Sequence, residues 1–213
     1  AAGFGLSRHR VAARHSKSFC AARESANVAE PTVIVIAAVV AAAALSGSQP
    51  AAPTTSATSV LAPRTACRGQ TSTTAPSAVQ LRAMQCLVNW ARTHRGETRL
   101  RRNAELDRSA AMRAAEIRRC DDFSHTPCGE PFLSVFTASH YLTGGGSVGE
   151  NIAWGQGRLA TPRATMTAWL ASPGHRRNLF TAQWRDLGIA RLHAARLDGH
   201  SNVTIWVTQF GRR

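Results

Sequence analysis

The sequence predicts an α+β fold. Two segments with helical apolar spacing come early, two alternating segments joined by a turn close the chain, and further helical segments lie between. Strands that follow one another directly pair antiparallel, and nothing alternates strand and helix as a parallel sheet would require. The 213 residues suffice for one domain of ordinary size with an appendage.

Residues 1–45 read as an export segment. Arg8, Arg10, Arg14, Lys17 and Arg23 precede an apolar run over 32–45. That run falls short of the roughly 20 residues a spanning helix needs. A secretory signal fits it, and a retained membrane anchor is the alternative. Residues 46–75 are rich in Ala, Pro, Ser and Thr and lack apolar periodicity. They read as a disordered linker whose far end is tied down at Cys67. The domain is expected over 76–213.

Its first helix starts near Pro76, where Ser77 and Gln80 form a capping-box signature. Leu81, Met84, Leu87, Val88 and Ala91 supply the apolar face, and Gly96 follows the end. A second helix runs from about Asn103, a good N-cap, to about Cys120. Leu106, Ala110, Ala114 and Ile117 form its inner stripe, with Glu105, Arg108, Arg113 and Glu116 expected toward water. A loop carrying His125 and a short apolar helix over 131–139 come next. Gly144-Gly145-Gly146 then leads into a short strand around Glu150. Thr161-Pro162 is an N-cap followed by proline at the first helical position. That helix ends at Ser172-Pro173, and another short one carries His175 and Asn178. Strands over 186–193 and 202–210 flank a turn over 194–201 that contains Asp198-Gly199. Trp154, Trp169 and Trp206 fall on elements expected to be buried.

The net charge is +14, and Lys17 is the one lysine. Abundant arginine and alanine point to a GC-rich genome, so codon usage explains part of the basicity. The arginines are scattered in nothing denser than pairs such as Arg118-Arg119 and Arg176-Arg177. Nucleic acid is therefore not the expected partner, and attraction to an anionic envelope ranks only somewhat above it. Of five cysteines, Cys20 precedes the apolar run and is expected to be lost with it. Cys67, Cys86, Cys120 and Cys128 suit two disulfides of an exported domain. Three connectivities are open. Cys67–Cys86 and Cys120–Cys128 are favoured because each closes a short local loop.

The stretch Val148-Gly149-Glu150-Asn151-Ile152 places one carboxylate in an apolar, glycine-flanked run. His125 and His175 lie at equal sequence distances on either side of Glu150, so the fold itself must assemble any site. Neutral imidazoles bind zinc and similar ions. A carboxylate beside them can ligate, orient a ring or act as a base. No HExxH-type motif is present. Ser124 and Ser172 lack the GxSxG elbow of a serine hydrolase.

Several segments together are similar to a known family. They are Cys86-Leu87-Val88-Asn89 with Arg92, Phe123-Ser124-His125-Thr126, and Val148-Gly149-Glu150-Asn151-Ile152-Ala153-Trp154-Gly155. The order continues with Ser172-Pro173-Gly174-His175-Arg176-Arg177-Asn178 and Thr208-Gln209-Phe210-Gly211. Over about residues 76–213 the chain resembles the CAP superfamily of cysteine-rich secretory, antigen 5 and pathogenesis-related 1 proteins, in its bacterial, actinobacterial-type branch. The resemblance implies an α-β-α sandwich with a central antiparallel sheet, a large cleft, and secretion. It also implies two histidines that bind a divalent cation such as zinc. His125, Glu150 and His175 match three of the cleft positions, and Ser172 stands where eukaryotic members carry a second glutamate. A pair of carboxylates for acid/base chemistry is thus not available.

A secreted or envelope-located, monomeric protein is expected. His125 and His175 would hold a divalent cation, zinc first among candidates, with Ser172 and Asn151 lining a cleft for a small or lipid-like ligand or a cell-wall ligand. Contact with a membrane is expected only through a retained N-terminal segment. A binding role is expected ahead of an enzymatic one. The alternatives are a metal-dependent hydrolase with Glu150 as its catalytic group, and an envelope adhesion module working through its arginines.

Overall fold

The computed structural model describes residues 4–6 and 60–213. The export segment's apolar run, Cys20 and the first part of the expected linker lie outside the described residues. The strands are β1 Phe4–Leu6, β2 Arg101–Arg102, β3 Ser147–Gln156, β4 Asp186–Leu197 and β5 His200–Arg212. The helices are α1 Ser77–Thr93, α2 Ala104–Cys120, α3 Ser134–Ala138, α4 Pro162–Ala171 and α5 Pro173–Leu179. One sheet runs in the order β1-β3-β5-β4-β2.

Strand alternation sorts the core into two layers. On β5, Val203, Ile205 and Val207 meet Ala110, Ala114 and Ile117 of α2, together with Ile152 and Trp154 of β3. Trp206 and Phe210 face the other way, toward Leu87 and Val88 of α1 and Met166 and Trp169 of α4. The sheet therefore lies between α2 on one face and α1, α4 and α5 on the other, the expected α-β-α sandwich. Gly188 permits the close approach of α2: a Cβ there would strike the backbone of Leu106.

The closing hairpin is longer than expected. β4 reaches Leu197 and β5 begins at His200, so Asp198 and Gly199 alone make the turn. Both have positive φ, 48° and 77°. A two-residue turn of that hand matches the twist of the flanking strands and lets pairing continue to the tip. β2 is a two-residue strand parallel to β4 at Arg101↔Asp186, an exception to the antiparallel expectation. Two arginines carry no strand signal, and the pairing arises because the chain passes the edge of β4 on its way into α2.

Asn103 caps α2 by accepting from the Leu106 amide, and Thr161 caps α4 by accepting from that of Ala164. The capping box at Ser77 does not form. Pro76 is the N-cap, and Gln80 donates instead to the carbonyl of Ala75. Residues 60–75 are not a loose linker. Val60, Ala62 and Cys67 belong to the core beside α1 and α4. Buried Gln70 donates to the carbonyl of Pro63, and Arg163 of α4 donates to Ala62 O and Gln70 Oε1. Both favoured disulfides are present, Cys67–Cys86 and Cys120–Cys128, with Cα–Cα distances of 5.7 and 5.4 Å. Among the described residues no helix is long and apolar enough to cross a membrane.

Candidate functional site

Glu150 sits near the middle of β3, and its side chain is fully buried. Strand alternation turns it, with Ile152 and Trp154, toward α2, and turns Asn151 toward α5. Three donors hold the carboxylate. Arg113 Nε and Gln209 Nε2 reach Oε2 at 3.3 and 2.8 Å, and His125 Nδ1 lies 2.8 Å from Oε1. Gln209 is the register partner of Glu150 on β5.

Arg113 was expected on the water-facing side of α2 and is fully buried. It also donates to Glu116 Oε2 at 3.1 Å and to the carbonyl of Phe132 at 2.7 Å. Glu116, likewise expected toward water, is mostly covered, and burial pushes its carboxyl above the usual range. The sequence held the signal. Arg113 falls three residues after Ala110 and four before Ile117, on the apolar stripe itself. Gln209 left no such signal, because only the register of β3 against β5 places it opposite Glu150.

His125 lies in the loop after α2, which the Cys120–Cys128 disulfide closes. Its ring meets Phe132 edge-on at 6.3 Å and is 39% exposed. An ionised carboxylate only accepts, so His125 donates to it through Nδ1 and Nε2 is the nitrogen left for another partner. His175 is buried on α5, with Nδ1 2.8 Å from Ser172 Oγ. Burial, with a smaller contribution from His125, lowers its pKa from 6.5 to about 4. Its imidazole is neutral at ordinary pH, and Ser172 anchors one of its nitrogens.

Asn151 does not line a cleft. It is buried and donates to the carbonyl of His175 at 3.1 Å. Asn178 donates to Asn151 Oδ1 and to the carbonyl of Glu150 at 3.1 and 2.9 Å. Its own carbonyl accepts from Trp184 Nε1 at 2.9 Å. Gly149 makes room for this brace, since a Cβ there would meet Asn178 Oδ1. The two histidines thus approach β3 from opposite faces. Between them runs the part of the β3 edge that precedes Ala153, Trp154 and Gly155, the residues paired with β1.

Residues 86–210 match the cysteine-rich secretory protein family, CAP. The chain belongs to that family. Among CAP relatives, Uncharacterized protein YkwD from Bacillus subtilis (strain 168) is 30% identical over 155 residues, 70% of this chain and 54% of that protein. The chain thus spans about half the length of this relative. An extracellular protein containing an SCP domain from Bacillus anthracis superposes with a TM-score of 0.51 at 21% identity, covering 64% of this chain and 41% of that one. An outer surface protein from Borrelia burgdorferi gives 0.53 at 20% identity, covering 65% of this chain and 96% of that one. At these identities the two structures show a shared fold.

Within this CAP domain the residues that fit a cation are His125 and His175, each with Nδ1 anchored by a neighbour. Glu150 does not join them as a ligand, because its oxygens already accept from Arg113, Gln209 and His125. Among the described residues no group of three or more His, Cys, Asp or Glu side chains is placed to hold a metal ion. Two imidazoles are the candidate donors, and Glu150 orients one of them.

Proposed function

We propose that this chain is an exported CAP-domain protein whose histidine pair holds a divalent cation, with zinc the best match to two imidazoles. The observation that carries the reading is the anchoring of both rings at 2.8 Å, one by Glu150 and one by Ser172, with His175 kept neutral by burial. Neutral, oriented imidazoles are what such an ion requires. Export is supported by two disulfides, which persist outside the cytosol. The structural neighbours described as extracellular and outer-surface proteins point the same way. The bound cation would then present a small or lipid-like envelope ligand with open coordination positions.

Calorimetric titration of the chain with zinc tests this, beside a His125→Ala/His175→Ala variant whose fold is checked by circular dichroism. The expected result is saturable binding, one ion per chain, that disappears in the folded variant. Binding unchanged by the double substitution, or none in the parent, overturns the reading. The histidines would then be part of the polar brace around β3.

A further inference from the structure

Charge is sorted between the two helical layers. Over residues 60–96 and 151–185, which build α1, α4, α5 and the segments packed on them, every formally charged residue is an arginine. Residues 97–130, which contain α2, carry arginines and carboxylates in equal number. Codon usage explains why the cations are arginine. It does not explain why these two stretches hold no carboxylate, with Glu97, which pairs with Arg92, only at their border.

Hollows on the α1/α4/α5 face repeat the pattern. One of about 530 Å³ has Arg64, Arg158 and Arg163 around walls of Leu159, Ala164 and Ala168. A second of about 660 Å³ has Arg95, Arg176 and Arg177. Ala171, at the end of α4, borders both, so they adjoin. A third, of about 420 Å³, has Arg68 and Arg82. No carboxylate lines any of the three. Among the described residues none of these eight guanidiniums is in an ion pair. Arg163 feels the lack, its pKa lowered first by burial and then by Arg64. An arrangement that costs self-repulsion and has no internal counter-charge is completed by an external anion.

We propose that the α1/α4/α5 face binds a linear polyol-phosphate polymer of the cell envelope. Guanidinium forks match phosphate oxygens two at a time. Short apolar walls between the arginines suit a chain that alternates a charged group with an uncharged carbon unit. Single-stranded nucleic acid would call for aromatic platforms on which successive bases stack, whereas the one ring lining these hollows, Phe180, is covered by the Arg95 guanidinium at 5.0 Å; a lipid surface would call for apolar side chains that insert. The large apolar side chain exposed among the described residues is Leu133, which precedes α3 and is not on this face.

The test is binding of the full chain to poly(glycerol phosphate), followed by fluorescence anisotropy over a range of salt. Two triple variants remove equal charge. Arg95→Gln/Arg158→Gln/Arg177→Gln lies on the proposed face, and Arg108→Gln/Arg118→Gln/Arg119→Gln lies on α2. The first should bind roughly tenfold or more weakly, with the slope of log affinity against log salt shallower by about 2, while the second stays within about twofold of the parent. Equal losses in the two variants, or no binding by the parent, overturn the proposal. So does a single-stranded DNA oligonucleotide of equal charge that binds as tightly as the polymer. Zinc binding enters none of these outcomes, so this proposal and the histidine site fail independently.

Discussion

Glu150 depends on donors from three places: Arg113 on α2, Gln209 on β5 and His125 in the loop between α2 and α3. Glu150→Gln keeps the shape and removes the charge that Arg113 was buried against. Unfolding in urea should show a loss of about 3 kcal/mol, the usual cost of stranding one member of a buried pair. Nitrogen chemical shifts of the His125 ring should show the Nδ1 proton no longer fixed. A variant as stable as the parent, with the same tautomer, would remove the positioning role. His175 contributes in the opposite sense. Its pKa is about 4 in the folded chain against an ordinary 6.5. Between those values the unfolded chain takes up a proton that the folded one refuses, so stability falls as pH drops through that window. The loss is complete below about pH 4 and amounts to at most about 3 kcal/mol. Denaturation curves with chelator present should show this slope, and His175→Asn should flatten it; an equal slope in both refutes the assignment. The sequence marked Glu150, His125 and His175 as belonging together. It did not mark what each does. Asn151, expected in a cleft, is a brace, and the third donor on Glu150 depends on a strand register that no local pattern encodes.

At the level of elements, what was legible follows how local the cause is. α2 and α4 begin where Asn103 and Thr161 say they should, because a cap is a contact between residues three apart. The hairpin tip follows from Asp198 and Gly199. The segment over 60–75 was misread because its composition suggests disorder, while a few small apolar residues and one disulfide are enough to lay it on α1 and α4. That bond closes a loop of 19 residues. Cys67→Ala/Cys86→Ala should lower stability by about 3 kcal/mol, read as a drop in the melting temperature. Proteolysis should then cut first within 60–75. Cleavage elsewhere, with 60–75 still protected, would show that Val60, Ala62 and Gln70 hold the segment without the bond. β2 was invisible in advance because its partner chose it.

For the whole molecule, the layer architecture was legible through the family resemblance and the order of elements. The distribution of charge was not. Read along the chain, arginines are scattered. Folding brings residues 60–96 and 151–185 together and leaves the carboxylates of α2 on the opposite side of the sheet. No window along the chain shows this, because the two stretches meet only through packing of α1 on α4. The described domain consequently differs in net charge between its two helical layers. Near the proposed polyol-phosphate polymer that difference would produce a torque as well as an attraction, and would turn the α1/α4/α5 side inward before contact. A molecule docked this way has its orientation chosen by long-range forces, before any short-range recognition at the edge of β3 begins.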